Sequence, residues 1–142
     1  MKKFNVRVYG IVFNDKKELL VAHETRGDMN MTKLPGGGLE WGEGLKEGLE
    51  REFVEELNWV VEVNELFYLT DYFQVSSLNS DDQVLSVYYY VKKVAERSEP
   101  HVANEGEIID FEWVSGDRLG GMEFTFPIDR LVIRRLIDKH YY

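Results

Sequence analysis

The chain contains no cysteine and only three prolines in 142 residues. Without thiols, disulfides, thiolate zinc sites and cysteine nucleophiles are excluded by inventory. Long hydrophobic runs are also missing. The N-terminal MKKFNVRVYGIVFND carries charge too early, and apolar residues too sparsely, for a signal peptide. A cytoplasmic protein with no membrane partner is therefore expected. Basic residues are few beside acidic ones: 17 Lys and Arg against 26 Asp and Glu leave a net charge of −9. A field of that sign repels anionic lipid and nucleic-acid polymer, so neither is expected as a partner. Small anionic substrates stay open, because a bound divalent cation can invert the local electrostatics of a site.

With 44% hydrophobic content, the length suits one domain spanning residues 1–142. FNVRVYGIVF (4–13) and ELLVAH (18–23) read as strands joined by the polar NDKK, an N-terminal hairpin. Residues 24–38, ETRGDMNMTKLPGGG, read as a loop in which Pro35 and three following glycines forbid regular structure. NWVVEVNELFYLTDYFQV (58–75) and QVLSVYYYVKKV (83–94) read as a second, longer hairpin around SSLNSDD. EGEIIDFEWVS supplies a last strand, and Pro127 opens a helix whose apolar face is Ile128, Leu131, Val132, Ile133, Leu136 and Ile137. This order of elements gives a layered α+β or α/β domain.

Between those hairpins lies an amphipathic helix, with Leu45, Leu49, Phe53 and Leu57 recurring every fourth residue. At about 100° per residue, Glu55 and Glu56 fall about 60° and 40° to either side of Glu52, so three carboxylates share one face. Like charges at these spacings oppose one another by roughly 0.2–0.5 kcal/mol per pair. Glu56 also projects along the edge of the apolar stripe, where a solvated charge has no reason to be. A divalent cation would hold such carboxylates ionised together. Gly44 and Gly48 precede Glu52 on that face and predict open space beside the carboxylates. Glu47 and Glu50 read as ordinary solvent-facing charges.

Gly37, Glu43, Arg51, Glu52, Phe53, Glu55 and Glu56 stand at the spacing G-x5-E-x7-R-E-U-x-E-E. This pattern resembles the Nudix box of the MutT-type pyrophosphohydrolases. LPGG before it and EWVS (112–115) late in the chain are also similar to family members. Two positions depart from the pattern: Asn58 replaces its next glycine and Trp59 its last aliphatic residue. Asn tolerates the left-handed conformation needed past a helix end. Trp59 and Phe53 are larger than the family's usual aliphatics, which puts the local core packing in question.

The resemblance implies a Nudix-type α/β/α sandwich with a mixed β-sheet between helices. It implies hydrolysis of a nucleoside diphosphate linked to another moiety, with Mg2+ or Mn2+ as cofactor and a small nucleotide-type molecule as substrate. On the matching positions Glu52 and Glu56 are implied metal ligands. Glu55 shares the metal or orients the attacking water, which makes Glu52 and Glu55 the catalytic candidates. The backbone of Gly36 is implied at the metal and that of Gly37 at the substrate. Glu43 and Arg51 form a structural ion pair. A further carboxylate near Trp113 is implied, with Glu105, Glu107 and Glu112 as candidates. Arg7, His23, Arg26 and Lys33 lie on or after the first strands; each could meet phosphate, Arg26 being the substrate candidate, although a surface charge is the plainer reading of each. Tyr88 and Tyr90 share one side of a strand and Tyr89 the other, so part of this aromatic cluster is core. A catalytically silent nucleotide-sensing module is the alternative function, and a homodimer is an open possibility.

Overall fold

A computed structural model describes residues 1–98 and 107–141 of the chain. Alternation along β1 (Lys3–Ile11) decides the layering: Tyr9 and Ile11 enter one core, while Val8, with Val12 just beyond the strand, enters another. A strand apolar on both faces must be covered on both. The helix α1 (Leu45–Leu57) covers the Val8 side with Leu49 and Phe53. The helix α3 (Pro127–His140) covers the Tyr9 side with Ile128, Val132, Ile133 and Leu136. A short α2 (Gly116–Leu119) adds Leu119 to that second core.

The strands form two sheets. One is mixed, ordered β4 (Gly36–Gly38), β1, β6 (Asp82–Glu96), β5 (Trp59–Leu69), with β1 parallel to β6 and the other pairs antiparallel. The other is antiparallel, ordered β3 (Met29–Lys33), β2 (Leu19–Arg26), β7 (Glu107–Val114). The expected α/β/α sandwich is the observed architecture. The tyrosines divide as expected, Tyr88 joining the α3-side core and Tyr89 the α1-side core. Among the described residues no helix is long and apolar enough to cross a membrane.

Three local expectations need correction. The NDKK turn forms, with Phe13 bridging Leu19, but the strands then part into different sheets because β1 takes β4 and β6 as its neighbours. Residues 24–38 are not a loop: β2 runs on to Arg26, turns at Gly27 (φ +60°) and returns as β3. The triple glycine is itself a strand, paired with Arg7, Val8 and Tyr9. Ladder hydrogen bonds use only the backbone, and Gly36 (φ +144°) lies so close to β1 that an added Cβ would stand 2.0 Å from the Val8 carbonyl oxygen. Finally, β5 stops at Leu69 and residues 70–75 are irregular, apart from a bridge of Val75 to Gln83.

The helix ends follow the sequence. Gly44 donates its N–H to the Glu47 carboxylate (3.2 Å), so Glu47 caps α1 while exposed, and Asn58 ends the helix at φ 59°. The aromatic departures from the box are accommodated by one missing side chain. A Cβ on Gly10 would lie 2.6 Å from the Phe53 ring, so β1 makes room for a phenyl group at that point. Phe53 then stacks on Trp59 (centroids 6.3 Å), and Trp59 on Trp113 (6.5 Å). Gly10→Ala should therefore destabilise the fold by about 1–3 kcal/mol in urea unfolding, and adding Phe53→Leu should recover part of that loss. Equal losses in the single and double variants would contradict this packing.

Candidate active site

Side chains on the Tyr9 face of β1 and β6 do not all meet α3. Toward one end, Asn5, Arg7 and Tyr9 from β1 and Asp82, Val84, Ser86 and Tyr88 from β6 floor a cleft of about 290 Å3. Its walls are β4, the Glu52, Glu55 and Glu56 face of α1, Glu24, Arg26 and Lys33 from β2 and β3, residues 74–79, and the start of α3.

The glycine strand brings the helix acids in. A Cβ on Gly37 would stand 2.7 Å from Glu52 Oε1, so the absence of a side chain there lets the carboxylate press against β4. Glu52 is 9% exposed. It shares a hydrogen bond with Glu56, whose Oε2 is buried without any hydrogen-bond partner. Burial pushes the Glu56 carboxyl up to about 9, opposed by Lys33 and reinforced by Glu52, and burial likewise raises Glu52. The space expected beside Gly44 and Gly48 is elsewhere. A Cβ on Gly48 would meet Leu39 (2.7 Å) and Glu43 (3.0 Å), so that glycine admits the preceding loop rather than a ligand.

Arg51 joins that loop, β4 and α1. Its guanidinium donates to both Glu43 oxygens (2.7 and 2.9 Å), the Gly38 carbonyl (3.0 Å), Glu52 (3.1 Å) and Glu55 (3.1 and 3.2 Å). The hydrogen bonds from Arg51 hold the Glu43 carboxyl down at about 2. Glu55 thus lines the cleft but is turned toward Arg51, outside the Glu52–Glu56 contact.

Lys33 is not a surface charge. It is 4% exposed, its Nζ 3.3 Å from Glu24 Oε1, and Glu24 is 3% exposed. Although burial works against its charge, Tyr9, Glu56 and Glu24 together hold the ammonium above the usual lysine range. Arg26 lines the cleft mouth, paired with Glu107 (2.7 Å) and Glu24 (3.4 Å), so Glu107 is also at the cleft but engaged. Glu112, the other candidate carboxylate, is not among the residues lining the cleft and is bonded to His23 (2.8 Å) and Arg118, which hold its carboxyl low. Those contacts also occupy His23. Glu105 lies outside the described residues.

Two cleft groups, Tyr9 and Asp129, were not singled out by sequence reasoning. Tyr88 stacks on Tyr9 (5.2 Å) and donates its hydroxyl to Asp129 Oδ1, while Arg7 Nε donates to the Tyr9 hydroxyl (2.6 Å). Asp129, 1% exposed in the first turn of α3, has an Oδ2 with no partner. Its place in FPIDRL looks like an ordinary helix start, and only tertiary packing shows it to be buried.

The donor set suits a hard divalent cation: carboxylate oxygens, one of them buried and partnerless, beside a strand without side chains. Among the described residues no three Asp, Glu or His groups are gathered around one point. Burial raises the Asp129 carboxyl to about 6. A raised acid binds its proton more tightly when folded, so its ionisation reduces stability as pH climbs from about 4 to 6. Asp129→Asn should therefore gain stability relative to wild type by on the order of 2 kcal/mol between pH 4 and pH 8, read from thermal melts at both. A difference that does not change with pH would contradict the assignment.

The model of the NUDIX domain family matches residues 3–136. No curated protein matches the chain. Among solved structures the chain is similar to a MutT protein from Methanosarcina mazei Go1, at 22% identity and TM-score 0.76, covering 99% of this chain and 96% of that one. It is similar to a NUDIX hydrolase from Nitrosomonas europaea at 21% identity and TM-score 0.78, covering 96% and 90%. It is also similar to an ADP-ribose pyrophosphatase from Streptococcus suis 89-1591, at 15% identity and TM-score 0.60, covering 92% and 90%. At these identities the structures establish the fold, and the family model covers nearly the whole chain. The chain belongs to the NUDIX domain family, as a Nudix hydrolase acting on pyrophosphate bonds.

Proposed function

We propose that this hydrolase is dependent on Mg2+ or Mn2+ and cleaves the diphosphate linkage of a small nucleotide-type substrate, water attacking phosphorus. The observation that carries the reading is the buried, partnerless Oε2 of Glu56 beside Glu52 at the edge of the cleft. Two buried acids in contact are a poor arrangement unless a cation joins them. A bound divalent ion supplies neutralisation of the pyrophosphate charge and activation of water at neutral pH.

The chain's own groups divide the remaining tasks. Glu52 and Glu56 hold the cation, with the backbone of Gly36 at its edge. Glu55, the exposed member of the trio, accepts the proton of the attacking water once released from Arg51. Gly37 gives the Glu52 carboxylate its place against β4, and Arg26 at the mouth offers donors to phosphate oxygens. Arg51 keeps Glu52 and the Gly38 carbonyl in fixed relation, which limits how far the site can spread.

A panel of deoxynucleoside triphosphates, nucleotide sugars, ADP-ribose and dinucleoside polyphosphates should show hydrolysis of at least one member with Mg2+ or Mn2+ and none with chelator. Glu56→Gln should lower that turnover by about a hundredfold or more while the circular dichroism spectrum is kept. Undiminished turnover in this variant would refute the ligand assignment.

A further inference from the structure

The acids of the cleft outnumber its fully buried bases. Glu24, Glu52, Asp82 and Asp129 are all buried there, and Lys33 is the one buried cation among the described residues. A buried ammonium has three donors, and Glu24 is its only ion-pair partner among the described residues, at 3.3 Å. Glu24 is shared with Arg26, so it does not fully balance Lys33. The remaining positive field falls on the cleft, where Glu56 carries its partnerless oxygen. The chain imposes this position: Lys33 ends β3, opposite Ala22 and two residues from the cross-strand pair of Glu24 and Met31. Three residues further on, the backbone enters β4 against Glu52.

We propose that Lys33 is a resident cation of the cleft, whose buried charge opposes a divalent ion held at Glu52 and Glu56 and so sets how tightly that ion is held. The inference rests on the metal reading of Glu52 and Glu56 given above. Lys33 acts through its field on the ion and not on the reacting atoms, which makes it a positioning residue. A fixed, buried positive charge opposes a divalent ion bound in the same cleft, the more so where burial lowers the effective dielectric. The lysine thus prevents the ion from being held too firmly.

The test is a Mn2+ titration followed by electron paramagnetic resonance on the full chain without substrate, for wild type, Lys33→Met and Glu24→Gln. Lys33→Met, which keeps the length of the side chain and removes its charge, should bind Mn2+ at least about fivefold more tightly. Glu24→Gln, which removes a negative charge and leaves Lys33 less engaged, should bind it more weakly. Thermal melts identify any variant that has not folded, and the opposite sign expected of the other variant keeps the test decisive. Unchanged Mn2+ affinity in folded Lys33→Met, including the case where only KM for substrate rises, would overturn the role. If wild type itself binds no Mn2+, the metal reading fails instead, and the two failures are told apart.

Discussion

Two carboxylates held in contact at the edge of a cleft are the constraint on which this structure turns. Glu52 and Glu56 share a hydrogen bond, one of their oxygens has no partner, and burial raises both acids. Left to local preferences a helix would place such residues in water. Here the opposite holds, because β4 is made of glycine and leaves its outer surface to Glu52, while Arg51 sets positive charge beside it. The pair is thus supported from two directions, each traceable to one or two residues.

The rest of the fold keeps that support rigid. Arg51 fastens the loop, the glycine strand and the helix at a single guanidinium, using nearly every donor of its fork. On the far side of α1, Phe53 enters the gap left by Gly10 and carries a stack of aromatic rings through Trp59 to Trp113, binding the helix to both sheets. Glycines matter at both faces of the helix for the same reason: each lets a larger group from α1 approach the backbone. Rigid elements placed this way hold catalytic side chains more accurately than loops do.

Much of this was legible in the sequence because it is written in periodicity and spacing. The apolar stripe of α1, the left-handed end at Asn58, the proline start of α3 and the division of the tyrosines all follow from local rules. The crowding of Glu52, Glu55 and Glu56 marked the place where a local rule is broken. What could not be read were facts of pairing across the chain. The three glycines looked like a loop because side-chain preferences describe no strand made of backbone alone. Lys33 looked exposed because no local feature announces Glu24 beside it. Glu112 looked available until His23 and Arg118 were found on its oxygens, and Asp129 looked like one more polar residue in a helix start.

The central claim is that Glu52 and Glu56 together hold a divalent cation at the glycine strand. Its most direct test is anomalous diffraction from crystals grown with Mn2+, recorded on both sides of the manganese absorption edge. The account predicts an anomalous peak within ligand distance, about 2.0–2.3 Å, of carboxylate oxygens from both residues. A peak confined to other acids of this acidic chain, or none at Glu52 and Glu56 with Mn2+ in excess, would contradict it.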